Sequence, residues 1–140
     1  MALKAIPGSW SHAVKSLEYA ISKGAKVSSN SYGAKSSFNG FKNILDNNPQ
    51  HIFVVAAGND NMLMKGDDLF APCVTASSNV LCVGSTSKYD SRSGFSNYGT
   101  DFVHVFGPGS GIDSCGHTSI NSYVRKSGTR YDFYTTFYCL

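Results

Sequence analysis

With 140 residues, 41% hydrophobic and 15% charged, the chain is long enough to bury one core and too apolar to be a disordered polyelectrolyte. The net charge of +3 comes from scattered Lys and Arg, only Arg125-Lys126 being adjacent, which excludes a nucleic-acid footprint. No run approaches the roughly eighteen apolar residues of a membrane span, and Met1-Ala2-Leu3-Lys4 lacks the apolar stretch of an export signal, which for a secreted parent is expected upstream.

In chain order, residues 11–23 are expected to form a helix, because Ala13, Val14, Leu17, Ala20 and Ile21 share one face. Ser11 suits its cap and Gly24 the left-handed position past its end. Residues 25–31 read as a short strand in which Ser28 and Ser29 are poor core residues. Residues 33–37 read as loop. Phe38, Phe41, Ile44 and Leu45 have helical spacing, and Asn47-Asn48-Pro49 ends that helix.

Residues 51–57 give the strongest strand. Ile52-Phe53-Val54-Val55-Ala56-Ala57 is apolar without alternation, the pattern of a strand buried on both faces within a parallel sheet. Gly58 stops it. Residues 60–78 are loop-like, Val80-Leu81-Cys82-Val83 marks a second buried strand over 79–85, and residues 102–106 a third. The order predicts an α/β fold, a mostly parallel sheet flanked by helices. Residues 131–138 crowd Tyr131, Phe133, Tyr134, Phe137 and Tyr138 together without helical spacing or a following turn.

The four cysteines, Cys73, Cys82, Cys115 and Cys139, form no C-x-x-C pair. Cys73 and Cys82 can close a short loop in an oxidising compartment, and four reduced thiols fit the sequence equally well. Cys115-Gly116-His117 offers two metal ligands, too few for a site. The run Gly107-Pro108-Gly109-Ser110-Gly111 is glycine-rich, but Pro108 and the lack of a following helix argue against a dinucleotide phosphate loop.

Ligands of α/β sheets gather at the carboxyl ends of strands. Two predicted strands end in Ser31-Tyr32-Gly33 and in Gly58-Asn59. An asparagine placed there can aim its NH₂ at a carbonyl oxygen and serve an oxyanion hole. Spacing alone reads Gly58-Asn59 more simply as a turn.

Further blocks change that reading. Val54-Val55-Ala56-Ala57-Gly58-Asn59 resembles the segment carrying the oxyanion-hole asparagine of the subtilisin-like serine proteases. Upstream, Gly24-Ala25-Lys26-Val27 and Asn30-Ser31-Tyr32-Gly33 are similar to the family's helix–strand segment and its substrate-binding edge. Downstream, Asn79 to Ser85, Phe95-Ser96-Asn97-Tyr98-Gly99 and Val105 to Ile112 follow in family order, with Gly107 where an alanine is usual.

The resemblance implies a partial subtilisin-like fold and a parent that hydrolyses peptide bonds. Asn59 would be the oxyanion donor. Ser31, Tyr32 and Gly33 would pair with an extended substrate, and Ala56, Ala57 and Gly58 would form the opposite wall. The implied partner is a peptide or protein substrate, the implied location of the parent the secretory pathway. Calcium is implied only for the parent, with no ligand set in this chain and no other cofactor.

Residues 1–129 are then a partial peptidase domain and 130–140 an aberrant aromatic-rich tail. The family's triad runs Asp, His, Ser, and none of His12, His51, His104 and His117 stands in the family's His motif. Ser127-Gly128-Thr129 is followed by Arg130 where the nucleophile belongs, and a guanidinium has no lone pair for acyl transfer. The chain alone is therefore expected to be inactive, or to be a non-catalytic peptide-binding relative. Exposed sheet edges are expected to make it poorly soluble.

Overall fold

The computed structural model describes residues 9–35, 39–65, 70–75, 77–115 and 122–129; the aromatic stretch and Arg130 lie outside them. Helix α1 spans Trp10–Ser22 and buries Ala13, Leu17 and Ala20. Its cap is Ser9 rather than Ser11: the Ser9 N–H donates to Nδ1 of His12 at 3.2 Å, so the helix begins one residue earlier than its apolar face requires. At the other end Gly24 has φ +84°, and the N–H groups of Gly24 and Ala25 donate to Ile21 and Ala20, a Schellman closure.

Strand β1 (Val27–Asn30), the two-residue β2 (Ala34–Lys35) and helix α2 (Asn39–Asp46) follow. Then come β3 (Ile52–Ala56), β4 (Phe70–Ala71), β5 (Val80–Thr86) and β6 (Val105–Pro108). Strands β7 (Ile112–Cys115) and β8 (Tyr123–Lys126) form an antiparallel pair. The main sheet has four parallel strands in the order β1-β3-β5-β6. The expected α/β architecture is what the chain adopts.

Strand β3 sits inside this sheet and shows why its sequence lacks alternation. Phe53, Val55 and Ala57 pack with Leu17, Phe41, Ile44 and Leu45 of the helices. Val54 and Ala56 turn to the other face and pack with Val83. The serines of β1 are explained by its place at the sheet edge. Ser29 is exposed, while the Ser28 hydroxyl meets Nε2 of His51 at 2.9 Å and Nδ2 of Asn30 at 3.0 Å, so its partial burial leaves nothing unpaired.

The third predicted strand is displaced. Residues 102 and 103 instead close a turn, both N–H groups donating to Gly99 O, and the sheet is rejoined only at Val105. Apolar content marked Phe102 and Val103 as core, which they are in part, but not as strand.

Cys73 and Cys82 are joined as a disulfide, with Cα atoms 5.2 Å apart. It ties the segment after β4 to the middle of β5, and both cysteines are buried. A loop of roughly ten residues removes about 2.5 kcal/mol of chain entropy from the unfolded state. Replacing both cysteines by alanine is expected to lower unfolding free energy by about that amount, read by denaturant melts with and without reductant.

Candidate active site

Strand β3 delivers the chain to the site. The Ala57 N–H still donates to Val83 O at 2.9 Å, so the sheet pairing runs one residue past Ala56. Gly58 then takes φ +98°, a backbone that only glycine adopts without strain, and the chain turns away from the sheet. Asn59 follows, exposed at the mouth of a cavity of about 380 Å³.

Two contacts fix this turn against the far end of the chain. The Gly58 N–H donates to Thr129 Oγ1 at 3.2 Å, and the Thr129 N–H donates to Asn59 Oδ1 at 2.9 Å. The second contact settles which way the carboxamide faces. An N–H requires an oxygen, so Oδ1 points at Thr129 and the NH₂ is left over. Among the described residues nothing takes that NH₂, which leaves it available to an oxygen brought into the cavity.

The structure brings all but one of the expected site residues to one cavity. Ser31, Tyr32 and Gly33 line one side, Ala56, Gly58 and Asn59 the other. Ala57 does not line it: its side chain is fully buried in the core with Phe41 and Phe53. Successive strand residues face opposite ways, so if Ala56 faces the cleft, Ala57 cannot. Sequence reasoning missed Asp60, Phe70 and the part played by Thr129, which complete the lining. Phe70 arrives through the β2–β4 pairing, Lys35 opposite Phe70, in a stretch that reads as plain loop.

Tyr32 is the most constrained wall residue. Its hydroxyl donates to Asn30 Oδ1 at 2.9 Å, and its ring stands edge-on to Trp10 and Phe41. Asn30 in turn donates to Val54 O at 3.2 Å, which ties the wall to β3. Burial pushes the Tyr32 phenol well above the ordinary tyrosine range. The folded value lies above the unfolded one, so this group's contribution to stability is fully present below about pH 10 and is lost as pH rises further. Tyr32→Phe is accordingly expected to leave the ultraviolet phenolate titration up to about pH 10 unchanged. Asp60 lies 4.0 Å from Lys35 at the rim, where both are exposed and the pair contributes little.

The comparisons with known proteins bear on this geometry. The model of the Subtilase family, peptidase S8, matches residues 4–138. The chain belongs to the Subtilase family. Within that family it is 36% identical over 124 residues to thermitase of Thermoactinomyces vulgaris, covering 87% of this chain and 41% of thermitase. It is 42% identical over 77 residues to the extracellular serine proteinase of Thermus sp. strain Rt41A, covering 54% of this chain and 17% of that protein.

Among solved structures, the prenylagaramide maturation protease PagA superposes with a TM-score of 0.75 over 94% of this chain and 48% of PagA, at 21% identity, a likeness of fold. The self-cleaved protease domain of PatA gives 0.71 at 25% identity, covering 86% of this chain and 46% of that domain. The subtilase segment described here thus spans less than half the length of each of these relatives.

Proposed function

We propose that this chain is the oxyanion-hole and substrate-cleft segment of a serine endopeptidase, and that it holds none of the triad's Asp, His and Ser. The observation that carries the reading is Asn59: its Oδ1 is taken by the Thr129 N–H, and its NH₂, which bonds to none of the described residues, belongs to a side chain that lines the cavity. In acyl transfer such a donor stabilises the oxygen that becomes negative in the tetrahedral intermediate. The walls at Ser31–Gly33 on one side and at Ala56 and Gly58 on the other would hold the peptide.

The absence of a triad is supported by the three histidines among the described residues, which do not include His117. Nδ1 of His12 accepts from Ser9, and Nδ1 of His104 from the Cys82 N–H. His51 does meet a serine, Ser28, at 2.9 Å. Its other nitrogen, however, faces the Ala25 carbonyl rather than a carboxylate, and the pair lies at the opposite end of β3 from Asn59. Arg130 after Ser127-Gly128-Thr129 supports the same reading. It also favours the second one, a peptide-binding relative that keeps the cleft without the chemistry.

A fluorophosphonate probe, which needs an activated serine, is expected not to label this chain. Labelling competed by a peptide aldehyde would overturn the triad-less reading. Peptide binding without labelling in the full-length protein as well would favour the binding relative. We read the parent as secreted, in keeping with the buried Cys73–Cys82 bond. Calcium in the parent remains part of the proposal. The described residues gather no group of three or more His, Cys, Asp or Glu.

A further inference from the structure

We propose that Asn97 is a positioning residue for the oxyanion donor Asn59, an inference that rests on the endopeptidase reading above. Asn97 lies between β5 and β6 and is fully buried. Its side chain spends three hydrogen bonds on the turn after β3. Nδ2 donates to Ala57 O at 2.8 Å, and Oδ1 accepts from the N–H groups of Asp60 at 2.9 Å and Met62 at 3.0 Å. Its own N–H donates to Gly58 O at 3.0 Å.

These bonds bracket Asn59 on both sides, and none of them touches it. The side chain must donate once and accept twice across one planar group, which a carboxamide does and a carboxylate or hydrocarbon does not. Without it, three polar groups of the turn lose their partners. With the backbone pinned at residues 57, 58, 60 and 62, Asn59 has little freedom. Its Oδ1 then falls on the Thr129 N–H, which leaves the NH₂ as the free end of the carboxamide. A donor that must meet a developing charge tolerates little displacement, so fixing the backbone around Asn59 is itself a contribution to turnover.

The deciding probe is the Thr129 amide, because it bonds to Asn59 and not to Asn97. In the full-length protein, Asn97→Ala is expected to free the Asp60 and Met62 amides. It is also expected to raise exchange at Thr129 by about tenfold or more, read at single residues. The Gly128 amide, which donates to Gly109 O, is expected to keep its protection. Turnover of a peptide anilide is expected to fall about 10–100-fold with KM changed less than about twofold.

Ser85→Ala serves as the stability control. It removes a buried hydroxyl bonded to Ser93 Oγ and to no residue of the turn, and is expected to lower the melting temperature while leaving Thr129 exchange and kcat unchanged. Should Asn97→Ala not fold, Asn97→Asp keeps both acceptor bonds and sets a second oxygen against Ala57 O where Nδ2 had donated. It is then expected to raise Thr129 exchange by about three- to tenfold. Thr129 protection that is unchanged in a folded Asn97 variant, or lost equally in Ser85→Ala, overturns the proposal. Selective loss of Thr129 protection in a wild-type background that hydrolyses no peptide upholds the positioning of Asn59 and defeats the endopeptidase reading.

Discussion

On the endopeptidase reading, Asn59→Leu is expected to lower kcat of the full-length protein by about 10²–10³ with KM nearly unchanged, a magnitude taken from the subtilisin asparagine on which it was measured. Leucine has nearly the shape of asparagine and neither of its polar groups, so the cleft keeps its size. What is lost is a donor that acts on charge developing at the transition state, and such losses fall on kcat rather than KM. The substitution also strands the Thr129 N–H, which now donates to Oδ1 at 2.9 Å. About 1 kcal/mol or more of stability should go with it. Asn59→Asp separates the two effects. Its carboxylate still accepts from Thr129, so stability is expected to hold, yet it places negative charge where negative charge must form, so turnover is expected to stay low. Steady-state kinetics and melts on both variants check this, and a kcat within about threefold of wild type in Asn59→Leu would remove Asn59 from the mechanism.

Gly58→Ala is expected to cost about 3–5 kcal/mol of stability and to abolish peptide binding in the cleft. The backbone at Gly58 has φ +98°, which strains any side-chain-bearing residue. A methyl there would stand 2.4 Å from Phe70 Cζ and 2.5 Å from Asn97 Nδ2. Neither neighbour can yield easily. Phe70 is buried against the core at the cleft wall, and Asn97 is held by the bonds to the turn. Relief therefore moves either the wall or the turn, and both shape the cleft. Denaturant melts and calorimetric titration with a peptide read the two losses, and a penalty under about 1 kcal/mol would show that the turn relaxes freely.

The parts of this site that were legible in the sequence are those set by local pattern. The unbroken apolar run before Gly58 required a strand buried on both faces, and the helices of α1 and α2 followed from spacing alone. Their caps and the third predicted strand were less so, because Ser9 and Ser11 are equally good caps by type, and Phe102 and Val103 are apolar without being extended. The resemblance in five short blocks pointed to Asn59 and to most of the residues that line the cavity.

What stayed hidden depends on partners distant in the chain. Phe70 reaches the cleft through a two-residue pairing with β2, too short to leave any periodicity. The antiparallel β7–β8 pair has an outer strand that is exposed throughout, so it carries no apolar alternation to be read. Asn97 stood inside a quoted block, but its bonds reach across 35, 37 and 40 residues, and a buried asparagine looks like any loop asparagine in a string of letters.

The Asn59–Thr129 hydrogen bond joins residues 70 apart in the sequence. Contacts of such separation bear the highest loop-closure cost and do not form until the intervening chain has been ordered. The carboxamide is therefore held toward the cleft only after the sheet between its two anchors is complete. A half-folded copy has an unaimed donor, so the geometry couples competence to completed folding without any separate latch.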